Sequence, residues 1–234
     1  MSDFSHRSEQ KEFMDDLDCS GAELEQTLRE LKTINRWLGG NKVTTHGLQQ
    51  LFRQHPQSIY QVADIGCGGG DMIQVMDDWA KKHQHAVDFV GVDANRNIIE
   101  LASVRMTSKT SVRWQVQNVF SDDFIKEKVD VLTCTLFTHH FTDGELVDLL
   151  AAFRQKARLG IVINDLHRHP LAYYSIKWLT RVFSNSNMVR NDAPLSVMRS
   201  FSRQDWQRIL DQADIKSYSL RWFWAFRWQL VIPI

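Results

Sequence analysis

Glycines 66, 68 and 70 stand between two acids in the segment Val62-Ala-Asp-Ile-Gly-Cys-Gly-Gly-Gly-Asp71. Glycine tolerates positive φ and lets a ligand come close to the backbone. The spacing therefore predicts a sharp loop that carries a strand into a helix around a bound group. Asp93 follows 23 residues after Gly70, at the expected end of the next apolar run. An acid there sits across the crevice and can bind ribose hydroxyls. Two histidine clusters come later, His139-His140 and His167-x-His169. Imidazole suits proton transfer near neutral pH. Asp165-x-His167-x-His169 also has donor types that hold metals.

These residues need a scaffold that brings them to one edge. Short apolar runs at 61–65, 86–93, 112–116, 129–136 and 159–165 alternate with helical patterns at 71–83 and 95–106. That alternation predicts βαβ units and a parallel sheet. Ligands of such sheets bind beyond the carboxyl ends of the strands, where the glycine loop, Asp93 and both histidine clusters fall. Before the sheet, Leu24, Leu28, Leu31, Ile34 and Leu38 mark one apolar helix face, stopped by Gly39-Gly40-Asn41. A shorter helix is expected over 45–55. Thr142-Asp-Gly-Glu145 has capping-box form, and Ser202-Arg-Gln-Asp205 starts another helix. Residues 166–200 interrupt the alternation with a helix opening at His169-Pro170, on which Leu171, Tyr174, Trp178 and Val182 share a face. The tail, 215–220 and 226–232, reads as two strands of an antiparallel edge hairpin.

The order of the loop narrows the ligand. A dinucleotide site wants G-x-G-x-x-G with pyrophosphate on a helix N-terminus. Here Asp71 fills the last position, and Asp64 adds a second carboxylate before the loop. Two acids repel pyrophosphate and suit a ligand with an ammonium group and a ribose, as S-adenosylmethionine (SAM) has. The segment resembles motif I of class I SAM-dependent methyltransferases. Trp114-Gln-Val-Gln-Asn-Val-Phe120 is similar to the strand-3 exit beside adenine, and Cys134-Thr-Leu-Phe-Thr-His-His140 to the strand-4 exit facing the methyl group. The resemblance is closest over 35–165. It points to bacterial small-molecule methyltransferases of secondary metabolism, related to the ubiquinone/menaquinone-biosynthesis type.

The resemblance implies a Rossmann-like α/β fold with a mostly parallel seven-stranded sheet, an antiparallel edge hairpin and a helical lid. It implies SAM as cofactor, held by Asp64, Gly66, Cys67, Gly68, Asp71, Asp93, Ala94, Asn118, Val119 and Thr135. Asn118 stands where an adenine-binding Asp is common, and its side-chain carbonyl can accept the same bond. The expected reaction is O- or C-methylation of a small aromatic, phenolic or quinone-like acceptor. A phenol has a pKa near ~10, so His139 or His140 is expected to orient or deprotonate it. No metal is expected, since a catechol-type site would want an acid where Thr135 stands.

Residues 1–58 are expected to form a helical lid and 59–234 the SAM-binding domain, with 166–200 inserted. Trp37, Leu38, Tyr173, Tyr174, Trp178 and Phe183 are expected to cover an apolar acceptor. Lys+Arg and Asp+Glu both number 28, which removes the usual electrostatic footprint of a nucleic-acid binder. No apolar run reaches the ~20 residues of a membrane span. The three cysteines, at 19, 67 and 134, have neither disulfide nor zinc spacing, so a cytoplasmic setting is expected. The competing readings are a non-catalytic SAM-fold binding protein and an NAD(P)-dependent oxidoreductase, against which Asp71 argues.

Overall fold

The structure is a computed structural model that describes residues 3–106 and 112–234. Helices α1 (Gly21–Trp37) and α2 (Asn41–Gln54) precede β1 (Tyr60–Ile65). There follow α3 (Asp71–Lys82), β2 (Val87–Asp93), α4 (Arg96–Met106), β3 (Val112–Val116), β4 (Val129–Thr135), α5 (Asp143–Lys156) and β5 (Ala157–Leu166). The chain ends with α6 (Pro170–Phe183), α7 (Asn187–Arg199), α8 (Arg203–Gln212), β6 (Ser219–Phe223) and β7 (Arg227–Pro233).

The described residues form a seven-stranded sheet in the order β3-β2-β1-β4-β5-β7-β6. β1 to β5 run parallel, and β7 and β6 close the far edge as an antiparallel hairpin. The expected fold class is therefore observed. Strand residues alternate between two apolar layers, because successive side chains point to opposite faces. Ala63, Ile65, Leu132, Ile161 and Ile163 pack with Leu149, Phe153, Trp206 and Ile209 of α5 and α8. Val62, Val131, Val162 and Val231 pack on the other side with Leu48, Leu51, Ile73 and Met76 of α2 and α3. The strand order reverses between β1 and β4, which opens a crevice at their carboxyl ends.

Three elements differ from the sequence reading. α2 starts at Asn41 and is a structural layer of the sheet: a Cβ on Gly47 would stand 2.4 Å from Val162 Cγ1. Helix α7 has no strong sequence signal, because polar Asp192 and Arg199 occupy buried positions on it. On α6, the face shared by Leu171, Tyr174, Trp178 and Val182 points outward, each residue more than half exposed. The capping boxes at Thr142 and Ser202 are formed as expected.

Candidate active site

An open cavity of about 900 Å³ lies over the carboxyl ends of β1, β2, β3 and β4. Its floor is the glycine loop. Gly66 and Gly68 have φ of +65° and +52°, a region that costs any other residue a Cβ clash. Gly66 is also bound by space, since a Cβ there would stand 2.1 Å from the Phe137 ring. Asp93 closes the loop from β2. Its Oδ2 accepts from Gly68 N at 3.2 Å and its Oδ1 from Asn95 N at 3.0 Å. Burial raises its pKa, while bonds from Asn95 and Gly68 favour the carboxylate. Each oxygen has a further lone pair to offer a ligand hydroxyl.

Six of the expected cofactor residues line this cavity: Gly66, Gly68, Asp93, Ala94, Asn118 and Val119. The Asn118 Oδ1 also accepts from Phe120 N at 3.0 Å, which folds the β3 exit into a tight turn. Four others lie outside the lining. Asp71 pairs with Lys32 of α1 at 2.7 Å. The Thr135 hydroxyl meets that of Thr44 at 2.9 Å. Cys67 is buried, which pushes its thiol pKa well up. Asp64 is buried beneath the loop, its Oδ1 accepting from Thr133 Oγ1 at 2.7 Å. Strand alternation explains the last: Asp64 follows Ala63 and precedes Ile65, so its side chain enters the sheet layer rather than the crevice.

Burial raises the Asp64 pKa to about 7, against the opposing bond from Thr133. A carboxyl whose folded pKa is raised favours folding when protonated, so its contribution falls as pH rises from its ordinary value to the raised one. Between pH 5 and 8 the parent should therefore lose about 3 kcal/mol of stability relative to Asp64→Asn. Urea unfolding of both proteins at the two pH values measures this, and parallel pH dependences would refute it.

The histidine clusters separate. His139 and His140 line the cavity. His167 and His169 do not: the His167 Nδ1 accepts from Trp222 Nε1 at 3.2 Å, and the His169 Nδ1 caps α6. Burial lowers the His167 pKa to about 4, with His169 adding to the effect. Asp165 turns away from both and serves His139, so Asp165-x-His167-x-His169 does not assemble as a metal-binding triad.

The His139 Nδ1 donates to Asp165 Oδ1 at 2.7 Å, and His139 N and Thr138 Oγ1 donate to Oδ2 at 3.1 and 2.5 Å. Asp165 is fully buried, yet the charge and hydrogen bond of His139 pull its pKa well below the usual carboxylate range. The His140 Nδ1 donates to Asp15 Oδ1 at 2.5 Å, and Arg199 donates to Asp15 Oδ2 at 2.5 Å. These two partners overcome burial and hold Asp15 well down. An ionised carboxylate only accepts, so both Nδ1 atoms carry the proton, and a neutral ring then has its lone pair at Nε2. The backbone of the pair is fixed as well: the His139 and His140 carbonyls accept from Arg199 at 3.2 and 2.6 Å.

Sequence reasoning missed Arg7, Glu12, Asp15 and Arg199. They lie up to about 130 residues from the histidines and follow no local pattern. The cover of the cavity also differs from the expected one. His6, Arg7, Ser8, Glu9, Lys11, Met14 and Leu17 line it. None of Trp37, Leu38, Tyr173, Tyr174, Trp178 and Phe183 does, and Trp37, Trp178 and Phe183 are more than 60% exposed. Arg7 fastens the segment by donating to the carbonyls of Phe141 and Arg199, both at 2.8 Å, and by pairing with Asp143 at 2.6 Å. α7 and Asp192 anchor its far end through the amides of Phe13 and Met14.

Sheet order, glycine loop and β2-terminal acid together make up a Rossmann-like α/β fold with a ligand crevice at the strand ends. Residues 62–160 match the family described as a methyltransferase domain. An uncharacterised methyltransferase of Bacillus subtilis, YcgJ, is 24% identical over 170 residues, covering 69% of this chain. The chain spans 61% of the length of that relative. The structure of the plantazolicin methyltransferase BpumL with S-adenosylhomocysteine (SAH) superimposes with a TM-score of 0.64, 16% identity and coverage of 90% and 89% of the two chains. Magnesium protoporphyrin IX methyltransferase of Synechocystis with SAM gives 0.52, 13%, 85% and 80%. Among the described residues no helix is long and apolar enough to cross a membrane.

Proposed function

We propose that the protein transfers the methyl group of SAM to a small aromatic, phenolic or quinone-like acceptor. The observation that carries this reading is one cavity holding both halves of the chemistry. Gly66, Gly68, Asp93 and Asn118 lie on one part of its wall, and His139 and His140 on another, with Phe137, Phe141 and Met14 among the lining. The wall also carries charged groups, Arg7, Glu9, Lys11 and Asp143 among them, which would fix the orientation of a polar acceptor.

When bound, SAM supplies a methyl group on a sulfonium, open to in-line displacement. The residues supply position and a dry wall. Asp93 would hold the ribose hydroxyls, and the backbone of Gly66 and Gly68 lets the cofactor approach. Phe120 and Phe141, packed edge to face at 5.4 Å, present aromatic surface near the β3 and β4 exits. Nε2 of His139 or His140 has the lone pair that can take a hydroxyl proton, with Asp165 and Asp15 stabilising the imidazolium that results.

Thermal melts with SAM, SAH and NAD in parallel, followed by methyl transfer to a panel of phenols and quinols, test the proposal. SAH at about 100 times its dissociation constant should stabilise by ~2.7 kcal/mol, a shift of roughly 5–10 °C. A shift with NAD and none with SAH would reverse the reading. SAH binding without transfer to any member of the panel would exclude the proposed acceptor class.

A further inference from the structure

The most unusual chemistry in the molecule is a point where a buried carboxyl oxygen without a hydrogen-bond partner faces two imidazoles. The side chain of Glu12 is 4% exposed. Its Oε2 accepts from Ser196 Oγ at 2.8 Å, but its Oε1 has no hydrogen-bond partner. That oxygen lies 3.6 Å from His139 Nε2. Because Asp165 holds a proton of His139 on Nδ1, the ring faces Glu12 with a lone pair whenever it is neutral. One nitrogen of His140, one of His139 and one Glu12 oxygen all lie within 4.8 Å of one another. A buried acceptor left unpaired costs ~1–3 kcal/mol, more when it is charged, so an arrangement of this kind calls for a positive partner.

Arg199 does not fill that role. Its Nη1 is 3.8 Å from Glu12 Oε1, beyond hydrogen-bond reach, and is committed to Asp15. Asp192 adds a further acid beside Glu12 and is spent on the amides of Phe13 and Met14. Among the described residues, Arg199 is the guanidinium in contact with Glu12 and Asp15, while Arg7 and Arg227 act on Asp165 from further away.

We propose that Glu12, His139 and His140 form a binding site for a divalent transition-metal ion of the zinc type. Two imidazole nitrogens and one carboxylate oxygen are a usual ligand set for zinc, with a fourth position left open. Ligands about 2.1 Å from a tetrahedral ion stand roughly 3.4 Å apart. The 3.6 Å between His139 Nε2 and Glu12 Oε1 is close to that separation. The surroundings are those of a metal site as well. Metal-binding histidines typically donate their other ring N–H to a carboxylate, which fixes the tautomer and raises basicity. Here Asp165 and Asp15 do so for both rings, at 2.7 and 2.5 Å. The histidines also line the cavity. An ion there would take up the imidazole lone pairs and polarise an acceptor hydroxyl as a Lewis acid in place of a histidine base, a role that rests on the proposed function, whereas the binding itself does not.

The test uses the full-length protein, stripped with chelator and titrated with Co²⁺ and Zn²⁺. Equilibrium dialysis with elemental analysis gives the stoichiometry, and the visible spectrum of the cobalt form reports coordination. One ion per chain and a tetrahedral or five-coordinate cobalt spectrum are expected. Glu12→Gln should weaken binding by more than about 100-fold and Asp15→Asn by about 10–100-fold, while Cys19→Ser leaves affinity unchanged. SAH melts of each variant show that the fold is kept, and His140→Gln carries the same test if Glu12→Gln does not fold. Absence of stoichiometric binding, or equal affinity in parent and Glu12→Gln, overturns the proposal and leaves a proton shared among the three side chains. Either result is independent of the SAH shift, so failure of the metal site is distinct from failure of the methyltransferase reading.

Discussion

Replacing Asp93 with alanine should abolish the thermal stabilisation by SAH and, with it, methyl transfer. The carboxylate has two tasks that no neighbour shares. It accepts the Gly68 and Asn95 amides at 3.2 and 3.0 Å, which sets the loop, and it lines the cavity with lone pairs to spare. A hydrogen bond to a charged group contributes about 1.5–3 kcal/mol. Loss of two such bonds to a ribose corresponds to about 100-fold or more in affinity. SAH at a concentration that gives the parent a full shift would then give the variant almost none. Asp93→Asn separates the two tasks, because the amide oxygen can keep one backbone bond while the charge is gone. It should melt close to the parent and still lose most of the SAH shift. A full SAH shift in both variants would remove Asp93 from the cofactor site.

The second large effect is expected at Asp165. The residue is completely buried and receives the His139 ring, the His139 amide and Thr138. Asparagine in its place can present an NH₂ to a ring that needs an acceptor, which favours the other tautomer. Breaking a buried, hydrogen-bonded charged pair costs about 3–5 kcal/mol, so Asp165→Asn should be markedly less stable at neutral pH. The pH dependence has a definite sign. The folded pKa of Asp165 is depressed, so its contribution is present above the ordinary carboxylate value and lost as pH falls through the depressed one. Parent and variant should therefore converge in acid. Turnover should fall by about 100-fold or more, with the SAH shift retained, since Asp165 does not line the cavity. His140→Ala should show the same split between turnover and cofactor binding. Unchanged turnover in His140→Ala and His139→Ala would take the pair out of the reaction.

The different fates of the glycine loop and the histidine network follow from physics that works at different ranges. Strand alternation, helix periodicity, the capping boxes at Thr142 and Ser202 and the glycines at 66, 68 and 70 are local constraints. Each is imposed on a few neighbouring residues by backbone sterics and by water, so the α/β order and the positions of the loop and of Asp93 were already present in the linear chain. The same local rules placed both histidine clusters at the strand ends.

Side-chain direction was the first quantity that needed the fold. Asp64 and Asp71 flank the loop in sequence, yet the pleat turns one into the sheet layer and α3 turns the other toward Lys32. Leu171, Tyr174, Trp178 and Val182 share a helix face, but only the packing of α6 shows that this face meets solvent. Pairing across long separations was the second. Glu12 and Asp15 meet His139 and His140 over more than 120 residues of chain, and Arg199 reaches the same point from α7. No propensity or spacing rule carries information over that distance. The contact exists because Arg7 and the Phe13 and Met14 amides fasten the N-terminal segment across the cavity. The sequence by itself thus determined the scaffold and the glycine-loop end of the cavity, which local backbone geometry builds. Only the tertiary structure decided the surroundings of the histidines, because Glu12, Asp15, Asp165 and Arg199 are groups that folding alone brings to them.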